Sequence, residues 1–162
     1  MSNPTFNNLT VLNAIHIHKT LVQNITNDQT VNELTTEDSG KIFVLPTSTS
    51  GTIIYLPDPV VNPGLKYTFL APPAGTGVLT QIIAGPNTGY PQDKALVRGS
   101  ILDLAPGAAN GEVVTDPTTE KYLRFTGATG EMTAEFLSDG ISYNCICRSL
   151  QTGPNAPCLF GA

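Results

Sequence analysis

Met132-Thr133-Ala134-Glu135-Phe136-Leu137, then Ser138-Asp139-Gly140, then Ile141-Ser142-Tyr143-Asn144-Cys145-Ile146-Cys147 carries the clearest structural signal in the chain. Apolar runs of strand length flank the Ser-Asp-Gly on both sides. Asp-Gly supplies the positive φ values that a tight turn between two strands needs. The spacing predicts a β-hairpin. No segment outside it sustains a helical period for three turns. Strand-length runs bounded by turn residues recur instead, at 9–17, 20–26, 41–45, 52–56, 65–70, 78–83, 95–102 and 121–126. Gly, Pro, Asn and Ser cluster between them, as at 47–51, 57–64, 71–77, 85–91, 106–111 and 127–130. Short strands at this spacing predict an all-β protein, an antiparallel β-sandwich or jelly-roll-like domain, rather than β-α-β units.

Composition agrees. The 162 residues suit one domain with a real core. Charged residues make up only 13% of the chain, against about 25% in average soluble proteins. There are 21 Thr and 12 Asn but only 8 Lys plus Arg. Thr favours strands, and Asn, Gly and Pro favour turns. So poorly charged a surface suits a protein that covers itself with copies and neighbours. The net charge of −5, without a run of Lys or Arg, argues against nucleic acid as a partner. With no 18-residue apolar stretch, no membrane-spanning helix is expected. Met1 to Thr10 has neither a basic start nor an apolar core, so the expectation is assembly in a cytoplasm rather than secretion by a cleaved signal.

Three segments follow: an N-terminal β arm (1–35), a main domain (36–150) and a C-terminal tail (151–162). In the arm, Phe6 opens an almost uncharged run in which Leu9, Val11, Ile15 and Ile17 fall on odd positions. Asn8, Thr10, His16 and His18 fall on even ones. A lone strand pair with one apolar face is marginal in water. The odd face must therefore pack on its own domain or on other copies, and spacing alone favours neither. Packing on copies makes Phe6, Leu9, Val11, Ile15 and Ile17 the oligomerisation and anchoring residues.

His16 and His18 project from one face of an extended strand, about 7 Å apart. One chain offers two ligands there, too few for a closed zinc site. Three copies around an axis would offer six; the plainer reading is a pair of surface or interface histidines. Cys145, Cys147 and Cys158 are odd in number, so they cannot all pair internally. Cys145 and Cys147 share a strand face, where a bond between them would be strained, and they read as small packed side chains. Pairing either with His16 and His18 at zinc has only ligand chemistry to recommend it. Catalysis finds no support: there is no Gly-x-Ser-x-Gly elbow, and both histidines lie in the arm. Glu131 and Glu135 read as solvated surface, and Asp139 belongs to the turn. Gly75-Thr76-Gly77 and Gly127-Ala128-Thr129-Gly130 lack the Lys-Ser/Thr of a phosphate loop. Expected cofactors are none, and no enzyme is expected.

From Thr36 to Tyr143 four pieces appear in order: Thr36-Glu37-Asp38-Ser39-Gly40-Lys41, Tyr55-Leu56-Pro57-Asp58-Pro59, Pro63-Gly64-Leu65-Lys66-Tyr67-Thr68-Phe69, and Ser138-Asp139-Gly140-Ile141-Ser142-Tyr143. This order resembles a β-sandwich structural domain recurrent in tailed phages and large DNA viruses. Phe6-Asn7-Asn8-Leu9-Thr10-Val11 likewise resembles the start of trimeric viral appendages. The resemblance implies a homotrimer on the virion, as a capsid decoration, cement or minor capsid protein, with the major capsid protein or its neighbours as partner. It also implies that a His-x-His pair like His16 and His18 could hold an axial metal. Tyr143 stands where the family often has Trp, and the last strand carries cysteines. A competing reading is the receptor- or glycan-binding head of a fibre, with loops 71–77, 85–93 and 105–119 as readers and Tyr90 stacking on a sugar.

Overall fold

The computed structural model describes residues 22–25, 31–46, 51–71, 79–87, 97–103, 112–114, 121–126, 131–149 and 158–161. These form twelve strands: β1 (Val22–Asn24), β2 (Val31–Glu33), β3 (Ile42–Val44), β4 (Thr52–Tyr55), β5 (Lys66–Ala71), β6 (Leu79–Ile83), β7 (Val97–Asp103), β8 (Glu112–Val114), β9 (Tyr122–Thr126), β10 (Met132–Ser138), β11 (Tyr143–Ser149) and β12 (Cys158–Gly161). A single 3-10 turn, Thr36–Asp38, is the one helical element among the described residues. Asp38 holds that turn: its Oδ2 accepts from the N–H and the hydroxyl of Thr35 at 2.8 and 2.9 Å.

Seven strands form one sheet in the order β1-β3-β5-β10-β11-β7-β8, and five form the other in the order β12-β9-β6-β4-β2. The expected hairpin is present as β10 and β11, with Met132 opposite Ser149 and Ser138 opposite Tyr143. The expectation of an antiparallel protein is corrected: both sheets are mixed. β1 with β3, β3 with β5, β2 with β4, β4 with β6, and β7 with β11 are parallel pairs. Strand alternation reports which face is buried and is silent about the partner's direction. Parallel neighbours need a crossover between them. For the four parallel pairs among β1 to β6 the crossover is a strand of the opposite sheet, whereas β7 reaches β11 through β8, β9 and β10. From β1 to β6 the odd strands enter one sheet and the even strands the other, so each strand lies beside the one two steps back.

The inward residues of both sheets form one buried cluster. The seven-stranded sheet contributes Phe43, Tyr67, Phe69, Phe136 and Tyr143, whose rings meet in series at centroid distances of 5.5 to 6.5 Å. The five-stranded sheet contributes Ile54, Leu56, Ile82, Leu123 and Phe125. Each such side chain contributes about 1.5–3 kcal/mol by leaving water. Two phenols also anchor the loops. Tyr67 donates to the carbonyl of Thr35 at 2.8 Å and Tyr143 to that of Pro57 at 2.9 Å.

Parts of the segments read as arm and tail enter the sheets. β1 and β2 come from the stretch read as arm, and β12 from the stretch read as tail, paired with β9.

Candidate assembly surface

Two turns meet at one end of the molecule. Residues 57–65 connect β4 to β5, and residues 138–142 connect β10 to β11. Their sequences bend the chain by side-chain acceptors placed two or three residues before the N–H they receive. Asp58 Oδ1 accepts from the N–H of Val60, and Asp139 Oδ1 from those of Ile141 and Ser142, all at 2.8 Å. Asn144 donates its amide to Asp139 Oδ2 at 2.9 Å. The buried Ser138 joins the two turns. Its hydroxyl donates to the carbonyl of Asn62 at 2.6 Å and accepts from the N–H of Leu65 at 3.0 Å, while its own carbonyl accepts from Gly64.

This braced end displays aliphatic side chains. Val60, Val61 and Ile141 are 51%, 71% and 59% exposed. Single exposed aliphatics are ordinary; three grouped on two hydrogen-bonded turns make a candidate contact surface. The outer face of the seven-stranded sheet adds Val22, Leu70, Leu137 and Ile146, all exposed. Amid them Glu135 bridges Lys66 and Arg148, each at 3.2 Å. These two cations hold the Glu135 carboxyl below the usual range against the opposing effect of burial. A shallow cavity of about 230 Å³ opens beside them, lined by Val44, Leu70, Ala71, Glu131, Met132 and Thr133.

Burial works against charge at Asp38 and Asp139, yet both carboxyls sit below their ordinary range. For Asp38 the hydrogen bonds of Lys41 and Thr35 outweigh burial, and for Asp139 those of Ser142, Asn144 and Ile141 do, with the charge of Arg98 assisting. Both are therefore ionised turn-formers at neutral pH.

The residues singled out in the sequence fall in different places. Phe6, Leu9, Val11, Ile15, Ile17, His16, His18 and Tyr90 lie outside the described residues. Cys145 and Cys147 point into the core and are buried. Cys158 opens β12. Sequence reading missed Val60, Val61 and Ile141, although Asp58-Pro59-Val60-Val61-Asn62-Pro63 carries a signal: two β-branched aliphatics inside a turn that has no use for them in a ladder. Among the described residues, no group of three or more His, Cys, Asp or Glu side chains gathers to hold a metal. No described helix is long and apolar enough to cross a membrane. Comparison with protein-family models, curated proteins and solved structures found no match to the chain.

Proposed function

We propose that this chain is a structural protein of a virus particle, acting by assembly rather than by catalysis. In this reading the two sheets pack as a β-sandwich, and copies associate as a homotrimer that decorates or cements the capsid lattice. One observation carries it: Val60, Val61 and Ile141 stand exposed on turns braced by Ser138, Asp139 and Asp58. A rigid apolar tip binds a neighbour without the entropy cost of ordering a loop. The sequence resemblance supplies the setting, and the sparse charge supplies a surface suited to close neighbours. The arm, with Phe6, Leu9, Val11, Ile15 and Ile17, ties copies together or anchors them to the major capsid protein.

The test combines two variants of the full chain. Replacing Val60, Val61 and Ile141 together by Ser should leave the melting transition in place while the protein stops binding capsid shells. Removing residues 1–21, which precede β1, should leave the sheets folded and abolish trimers in sedimentation. Wild-type protein that sediments as a monomer at every concentration, or a triple variant that still decorates shells normally, would overturn the reading.

A further inference from the structure

The outer face of the five-stranded sheet is built differently from the assembly surface. Its outward residues form two cross-strand rows: Ile53, Gln81 and Arg124, and beside them Tyr55, Ile83 and Tyr122. Their inward neighbours Ile54, Ile82, Leu123 and Phe125 are buried in the core, which fixes the direction of the outward set. Gly161, on β12, lies opposite Tyr122. A Cβ there would fall 2.3 Å from the Tyr122 hydroxyl and 2.4 Å from Cζ, so the glycine lets the phenol ring lie down across the neighbouring strand. The guanidinium of Arg124 sits over that ring, 5.2 Å from its centroid. With the Gln81 amide turned so that Oε1 faces Arg124, Oε1 accepts from Nε at 2.9 Å and from Nη2.

These contacts fix the guanidinium without neutralising it. Lys41, Lys66 and Arg148 each meet a carboxylate. Among the described residues none pairs with Arg124, which is half-buried in a chain of net charge −5. A cation partly out of water, with no counter-charge among the described residues, favours an incoming anion. Gln81 takes two of the five N–H donors of Arg124 and, among the described residues, leaves three in the planar fork that suits a carboxylate. Tyr55 stands two strands from Tyr122, about 10 Å away, with Ile83 between them. Such a strip suits the C–H faces of sugar rings, while the phenol and amide groups suit their hydroxyls.

We infer that this face is a binding site for a glycan carrying a carboxylate, with Arg124 receiving the acid and Tyr55 stacking on an adjoining sugar ring. The site is separate from the tip and does not depend on the assembly reading.

Calorimetric titration of the full-length protein with sialyllactose, with a tetragalacturonate and with neutral lactose tests it. At least one acidic sugar should bind at least tenfold more tightly than lactose and lose affinity with added salt. R124K, which keeps the charge and loses the fork, and Y55A should each weaken binding about tenfold, whereas Y55F should retain it. Thermal melts of all three variants report whether the sheet stays folded. Equal binding of lactose, displacement of the acidic sugar by equimolar inorganic phosphate, full affinity in folded R124K, or no binding of either acidic sugar at millimolar concentration would overturn the assignment.

Discussion

A Cβ placed on Gly99 would lie 1.7 Å from the carbonyl oxygen of Cys145, the residue it faces across the β7–β11 ladder. Gly99 also holds a φ of 151°, which residues with side chains rarely adopt. β7 and β11, neighbours in the larger sheet, therefore pair only because position 99 has no side chain. Gly99→Ala must move backbone rather than a flexible side chain, and we expect a loss of about 3 kcal/mol or more. Chemical denaturation measures it. A variant within about 1 kcal/mol of wild type would show that the ladder can shift to make room.

Thr52 and Thr80 lie side by side on β4 and β6, both buried, and neither hydroxyl finds a hydrogen-bond partner among the described residues. Valine keeps the shape and removes the stranded polar atom. Thr52→Val and Thr80→Val should each stabilise the protein by about 1 kcal/mol, raising the melting temperature by a few degrees. A lower melting temperature in both would mean that the hydroxyls are solvated within the core.

Ser138 joins turns 57–65 and 138–142 through four backbone groups, the carbonyls of Asn62 and Leu65 and the N–H groups of Gly64 and Leu65. Ser138→Ala removes the donor to Asn62 and the acceptor for Leu65, at an expected cost of about 1–3 kcal/mol. Amide hydrogen exchange should quicken most at Leu65. Exchange that quickens uniformly across the sheets would point instead to general loss of stability.

Acid and alkali should each weaken the fold, through different groups. Asp38, Glu135 and Asp139 titrate below their ordinary range when folded. Their contribution is therefore present above about pH 4 and is lost as pH falls through the depressed values. Tyr67 shifts the other way, first by burial and then by the charge of Asp38. Its contribution is complete below about pH 10 and declines above it, where the unfolded phenol ionises first. Asp139→Asn should flatten the acid limb and Tyr67→Phe the alkaline one, as read from melting temperature against pH. Limbs unchanged in both variants would assign the pH dependence to other groups.

The faces of the strands were legible in the sequence, and their neighbours were not. Tyr67 and Phe69 alternate with Lys66 and Thr68, and the structure buries the pair that alternation picks out. The same alternation in Thr52–Tyr55 gives no hint that β4 runs parallel to β6, because direction depends on where 57–64 and the strand after it carry the chain. Val31-Asn32-Glu33, Glu112-Val113-Val114 and Cys158-Leu159-Phe160-Gly161 are strands too short to show a period in the sequence. The tip was half legible: Asp139-Gly140 announced a turn, but only three-dimensional pairing through Ser138 sets Val60 and Val61 beside Ile141's turn. Arg124 and Gln81, forty-three residues apart, meet only through the β6–β9 register.

The passage of the first six strands back and forth between the sheets gives the molecule a pitch. Each lap of the chain adds one rung to both walls and advances the body by about 4.8 Å, the separation of neighbouring strands. Duplicating one lap within this region should add a single strand to each sheet while leaving the β10–β11 hairpin, set between β5 and β7, as it is.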